Sequence, residues 1–415
     1  MAAAEDARSA GRAALAHPAF VRYLFARFLI VVALEMQSVA VGWQVYEITH
    51  RAFALGLVGL AQFLPGMVLF LVSGHAADRF DRRKLLIVCD VGFTVCSVSL
   101  LAVALRGSPR VASIYAVLVI FGVVRSFSSP ANRALIPALV PAEHFPSAVA
   151  WNASMFQCAT ILGPALGGVF YALLRGPEAV YALSALSEAV AIAALLQIRV
   201  ATHLRARERL SLRVAFAGLR YIWREKLLLG SISLDLFAVL LGGAVALLPV
   251  FAREILKTGP WGLGLLRAAP GVGAAAMALL LAHRPLRARA GKTMLWCVAG
   301  FGAFTILFGL SHSMTLSLIS LLLVGATDMV SVVVRATLIQ IATPDEMRGR
   351  VNAVDMVFIG ASNELGEFES GLTAQWLGAV PAVVLGGIGA LAVTAIWAWG
   401  FPELREADAL TMEGK

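Results

Sequence analysis

Residues 52–77 read AFALGLVGLAQFLPGMVLFLVSGHAA, a run with no Asp, Glu, Lys or Arg. A bilayer core about 30 Å thick needs roughly 20 apolar residues per helical span, and this run supplies them with length to spare. Directly behind it, residues 74–84 read GHAADRFDRRK, so an abrupt basic turn ends the apolar run. The rest of the chain repeats the pattern. Of 415 residues, 60% are AVILMFWYC and 14% are charged, with a mean hydropathy of +0.83. Soluble domains carry about 25% charge. Such a composition excludes an ordinary soluble enzyme and equally excludes a disordered chain.

Outward from 52–77, apolar runs predict spans at 20–47, 84–105, 111–132, 145–174 and 178–198. A second set follows at 227–252, 259–283, 292–310, 315–341, 350–376 and 380–401. The expected fold is an all-α membrane protein of twelve transmembrane helices in two six-helix bundles. The first bundle is 1–198 and the second 227–402, with a linker at 199–226 and a tail at 403–415. No cleavable signal precedes the first span, because its apolar run greatly exceeds signal-peptide length. With the N-terminus inside, cytoplasmic segments hold about 24 of the Lys and Arg residues and the outer loops about 6. Both termini are therefore expected in the cytoplasm. The net charge of +9 is explained by topology, and nucleic acid is excluded as a partner. The linker contains an amphipathic helix capped by Ser211. Leu212, Ala215, Phe216, Leu219, Ile222 and Trp223 form its apolar stripe, opposite Arg213, Arg220 and Arg224, and it is expected to lie on the leaflet. Cys89, Cys96, Cys158 and Cys297 fall in apolar runs and read as packing residues.

The two halves echo each other. Arg133-Ala134 precedes Pro141-Ala142-Glu143, and Arg335-Ala336 precedes Pro344-Asp345-Glu346, each ahead of a long span. Weak similarity between two six-span halves is the mark of a repeat-built secondary transporter.

The stretch from Gly74 to Lys84 resembles the loop signature of the major facilitator superfamily. That resemblance implies that Asp78 and Arg79 latch the two halves in one access state, with Gly74, Arg82 and Arg83 completing the gating loop. Asp81 stands where the family has its second glycine. In the fifth span, Ala159, Gly163 and Gly167 form a small-residue stripe with Pro164 and Gly168 beside it. It resembles the antiporter motif of facilitator-type exporters. The stretches 17–20, 26–28, 77–80, 234–237, 264–267 and 343–352 are similar to the enterobactin exporter and transmembrane secretion effector group. The resemblance implies proton-driven export of a small amphipathic molecule, siderophore or drug-like, across a bacterial inner membrane.

Charges in mid-span are costly in lipid and point to a pathway. The acids are Glu35, Glu188, Asp235, Asp328, Glu364, Glu367 and Glu369, against Arg27, Arg125, Arg267 and Arg335. Glu364 and Glu367 share a helix face and lead the proton-coupling candidates, followed by Asp235, Glu35 and Asp328. Arg267, Arg335 and Arg125 are the candidate charge partners, with Asp328 and Arg335 seven apart on one face. Trp43, Gln44, Tyr46, Gln62 and Asn363 are cavity candidates, the aromatic ones equally readable as an interfacial belt. No phosphate-binding loop, metal-ligand cluster or nucleophile–base motif is present. No enzymatic activity, metal or cofactor is expected, and the proton gradient serves as energy source. The expected partners are a small-molecule substrate and the bilayer, with the chain a monomer. The alternatives are a proton-coupled importer or lysophospholipid transporter on the same fold, and a non-transporting sensor or scaffold.

Overall fold

The computed structural model describes residues 13–106, 110–199, 212–284, 286 and 289–407; the side chains of 70, 71, 75, 77, 78 and 212–216 also lie outside the description. The regular elements among the described residues are helical. The first six long helices are α1 (Pro18–Thr49), α2 (Ala52–Arg79), α3 (Arg82–Ala104), α4 (Val111–Leu135), α5 (Phe145–Leu173) and α6 (Pro177–Leu196). The linker helix α7 (Leu212–Arg224) leads to α8 (Lys226–Leu241). Then come α9 (Gly259–His283), α10 (Ala290–Gly309), α11 (Met314–Ala342), α12 (Asp345–Leu377) and α13 (Ala379–Gly400).

Among the described residues, eleven helices are long and apolar enough to cross a membrane. The twelfth long element, α12, misses that criterion because of its charge. Asp355, Glu364, Glu367 and Glu369 all lie within it. A span with so many acids cannot face lipid along its length, so its polar face turns to protein or water. It starts at Asp345, earlier than expected from hydropathy. Pro344 precedes it and Asp345 and Glu346 favour the positive N-terminal end of the helix dipole.

The expected seventh span is not one continuous helix. α8 ends at Leu241, Gly242 and Gly243 interrupt it, and a 3-10 turn at Ala244–Leu247 leads through Leu248–Val250 into a π-helical turn at Phe251–Ile255. Two glycines release the backbone, and Pro249 has no N–H to continue the α ladder.

The chain forms two compact units: residues 1–44 with 64–210, and residues 45–63 with 211–415. In the first, α3 packs on α4 and α6. In the second, α9 packs on α11, and α10 on α11 and α13. Leu234, Met294, Val334 and Val393 belong to one buried cluster there. α9 and α11 cross with their backbones touching, because Gly273 faces the carbonyl of Leu322 and Gly325 that of Pro270. The surface is apolar where a soluble protein would be charged. Trp296 and Trp399, at the start of α10 and end of α13, are 78% and 84% exposed. Such residues match the aromatic belts at a membrane's edges.

Two expectations change here. Ile222 of α7 is buried beside Leu228, Ile339 and Val351, whereas Trp223 is exposed with Arg220 and Arg224. Consecutive helical residues differ by about 100°, so the protein takes Ile222 and turns Trp223 away with the arginines. Gly218 lets α7 sit on the backbone of Arg350, and the Tyr221 hydroxyl donates to the carbonyl of Ala342 at 3.0 Å. The Ser211 cap lies outside the described residues. Cys89 and Cys96 are buried, but Cys158 is exposed and so is not a packing residue.

Candidate functional site

The densest group of buried charges lies in the second unit, where α8, α11 and α12 meet. α11 places Asp328, Ser331 and Arg335 on one face. Arg335 is 3% exposed, and its guanidinium pairs with Asp235 of α8 and, through Nε at 3.4 Å, with Asp355 of α12. The Ser331 hydroxyl donates to Asp235 Oδ1 at 3.4 Å. Asp235, Asp328, Ser331, Thr327 and Phe301 line a small cavity. Two carboxylates thus pair with one guanidinium and a third, Asp328, shares the cavity with Asp235, with hydroxyls in the wall.

This arrangement differs from the expected pairing of Arg335 with Asp328. Seven residues rise about 10.5 Å along a helix, too far for a direct pair when acids on two neighbouring helices stand closer. Asp355 escaped the sequence reading although its neighbours Val354, Met356 and Val357 marked it as an acid in an apolar run. Asp90 of α3, 4% exposed between Cys89 and Val91, carried the same mark.

The other candidates are spread over both units. Glu364, Glu367 and Glu369 are half-buried on α12, where the Thr373 hydroxyl donates to Glu369 at 2.6 Å. Glu367 lies over Gly59 of α2, whose missing side chain leaves room for the carboxylate. Gln62 is half-buried on α2. Asn363 is exposed and donates to the carbonyl of Ile359 at 3.0 Å. Arg267 is half-buried on α9, and Arg125 is exposed on α4. Tyr46 donates to Glu254 of the π-helical turn, and Arg253 of that turn is 3.6 Å from Glu47. Trp43 and Gln44 are packed inside the first unit. Trp43 meets Tyr171 edge-on with centroids 6.4 Å apart, and Gln44 accepts from Tyr181 at 2.7 Å.

In α5, Gly163 lies against Glu35 and Val32 of α1, and a side chain at Gly167 would fall 2.8 Å from the Cα of Met36. Pro164 and Gly168 are buried alongside. The α5 stripe is therefore the surface on which α1 rests, and Glu35 is held at that crossing.

The loop signature has its own geometry. Gly74 is buried near the end of α2, Arg79 is exposed, and the Asp78 side chain lies outside the described residues. Asp81 caps α3, its carboxylate accepting from the backbone N–H groups of Arg83 at 2.9 Å and Lys84 at 3.1 Å. Its φ of −57° is open to any residue, so the absent family glycine leaves no strain. Arg82 donates to the carbonyl of Ala134 at 2.9 Å, and Arg83 to those of Leu195 and Leu196 at 3.0 and 2.7 Å. Cations at the carbonyl ends of α4 and α6 complement both helix dipoles.

Residues 9–414 match the model of the transmembrane secretion effector family, a branch of the major facilitators. This chain is a member of that family. It is 30% identical to the enterobactin exporter EntS of Shigella boydii over 382 residues, 90% of this chain and 86% of that protein. The same exporter from an Escherichia coli O81 strain is also 30% identical over 382 residues, with the same coverage. Among solved structures, an inward-facing bacterial homologue of the lysosomal transporter Spinster superposes with a TM-score of 0.71 at 12% identity. The match covers 93% of this chain and 98% of that one. A D-xylose–proton symporter superposes with a TM-score of 0.70 at 14% identity, covering 93% and 98%. At such identities these two speak for the fold alone. This facilitator is a multi-pass transporter of the bacterial inner membrane and not an enzyme.

Proposed function

We propose that this facilitator exports a small amphipathic molecule, of siderophore or drug-like type, by alternating access driven by inward proton movement. The similarity to proteins named enterobactin exporters supports export and the substrate class. The observation that carries the coupling is the excess of carboxylates around Arg335. A proton arriving at Asp235, taken up directly or passed on by Asp328 across the shared cavity, cancels the negative charge paired with the guanidinium. Arg335 is then held mainly by Asp355, which changes the relative stability of two packings of α8, α11 and α12. Protonation drives a conformational change only through such a differential interaction. Glu364, Glu367 and Glu35 remain the further acids proposed for the proton path, with Arg267 and Arg125 as charge partners. Asp78 and Arg79 are proposed to latch one access state, and the α5 stripe is the bearing for α1.

Proteoliposomes under an imposed pH gradient test the proposal, with enterobactin and a cationic amphipathic dye as probes. The gradient is expected to drive uphill movement of a probe against protons. Asp235→Asn and Asp328→Asn should each reduce that movement at least tenfold while downhill exchange persists. Movement indifferent to the gradient, and equal in both variants, would overturn the coupling. Co-movement of probe and proton would overturn export in favour of import.

A further inference from the structure

The first unit holds a buried acid outside the proposed coupling cluster. Glu188 of α6 is 0% exposed, as is Ser97 of α3, and Gln37 of α1 is 2% exposed. The Ser97 hydroxyl oxygen is 2.9 Å from Glu188 Oε1 and 2.6 Å from Gln37 Oε1. A serine hydroxyl carries one proton and donates once. Two acceptor oxygens at these distances leave one of them without a proton between itself and the hydroxyl. Thr94, the other hydroxyl beside the carboxyl, is placed to donate to the backbone carbonyl of Asp90 at 2.9 Å.

Two assignments balance the protons. In the first, the Gln37 amide is turned so that Nε2 donates to Ser97, which donates to a Glu188 carboxylate. That carboxylate would be fully buried, and its second oxygen, Oε2, has no hydrogen-bond partner. No Lys, Arg or His forms an ion pair with it among the described residues. The titratable groups facing it are Asp90 and Cys96 of α3, with Arg27 of α1 acting on Asp90; Glu35 of α1 faces α5 instead. An unpaired buried carboxylate beside another acid is strongly disfavoured, because nothing repays the hydration it gives up. In the second assignment Glu188 is a neutral acid. Its O–H donates to Ser97, Ser97 donates to Gln37, and no buried charge is left uncompensated.

We infer that Glu188 is a proton-binding site of the first unit, occupied at neutral pH, with Ser97 and Gln37 receiving its hydrogen-bond chain. Each member comes from a different helix, and all three are closed to solvent. The proton therefore exchanges with water only when this packing opens. The inference rests on this packing and not on the Asp235 cluster or the direction of transport.

Infrared spectroscopy of the full chain in nanodiscs tests it without any substrate. At neutral pH the difference spectrum of native protein minus Glu188→Gln should show one protonated-carboxyl C=O band, absent from the variant and moved in heavy water. Ser97→Ala, which keeps the acid, should move that band to higher frequency, because the carboxyl loses its acceptor. A carboxylate band in place of the protonated one would overturn the proton site. A band unmoved by Ser97→Ala would overturn the chain.

Discussion

Arg335 shows how much a single residue depends on its neighbours. It is almost fully buried between Asp235 and Asp355. Removing one partner of a buried ion pair leaves an uncompensated charge, at a cost of about 3–5 kcal/mol. Arg335→Ala should therefore lower the thermal unfolding temperature markedly in detergent or nanodiscs. Arg335→Ala combined with Asp235→Asn and Asp355→Asn should recover much of the loss, because the two carboxylates that paired with the guanidinium are no longer orphaned. An unfolding temperature equal to the native one in the single variant would show that the pairs contribute nothing. The acids Asp235 and Asp328 were legible in the sequence as charges in apolar runs. Arg335 was legible as a charge partner, but its pairing with Asp235 and Asp355 in place of Asp328 was not, because a hydropathy pattern does not say which neighbouring helix brings an opposite charge.

At the scale of elements, packing is governed by where backbones approach. α1 rests on α5 through Gly163 and Gly167, and a side chain at Gly167 would strike the backbone of Met36. Gly167→Leu should destabilise by about 1–3 kcal/mol, read as lower yield and earlier thermal unfolding. The start of α3 offers a contrasting prediction. Asp81→Ala removes the cap of two backbone N–H groups and should cost about 0.5–2 kcal/mol. Asp81→Gly, which restores the family residue, should cost only a few tenths, measured the same way. The small-residue stripe and the loop were both readable from spacing. The break after Leu241 was not, since Gly242 and Gly243 occur in a run otherwise apolar enough for one span.

At the scale of the molecule, the compact units do not coincide with sequence halves. Residues 45–63 pack with 211–415. Phe53 meets Phe368 with centroids 5.9 Å apart, Gly371 lies against Gly56, and Tyr46 and Glu47 engage Glu254 and Arg253. The proposed alternating access breaks those contacts in each cycle where the segment travels with the remainder of α1 and α2, and keeps them where it travels with 211–415. A Phe53→Cys/Phe368→Cys pair, in a background with the native cysteines replaced by Ser, should be joined by a short bifunctional methanethiosulfonate reagent, which links the two thiols through reducible disulfides. In the first case transport in proteoliposomes should then stop and return on reduction. Undiminished transport in fully cross-linked protein would show that these contacts persist through the cycle.

The amino-acid sequence by itself determined residence in the membrane, the approximate spans and the family. Hydrophobic length against bilayer thickness is a local property, and the loop motif is a contiguous one. Tertiary structure decided which acids meet which arginine, which face of α7 is buried and where residues 45–63 belong. Those outcomes depend on helices brought together from distant parts of the chain. The scarcity of charge in residues 52–77 announces only a span. The placement of the few charges elsewhere, in low dielectric where each needs a partner or a proton, is what the packing of α1, α3 and α6 and of α8, α11 and α12 supplies.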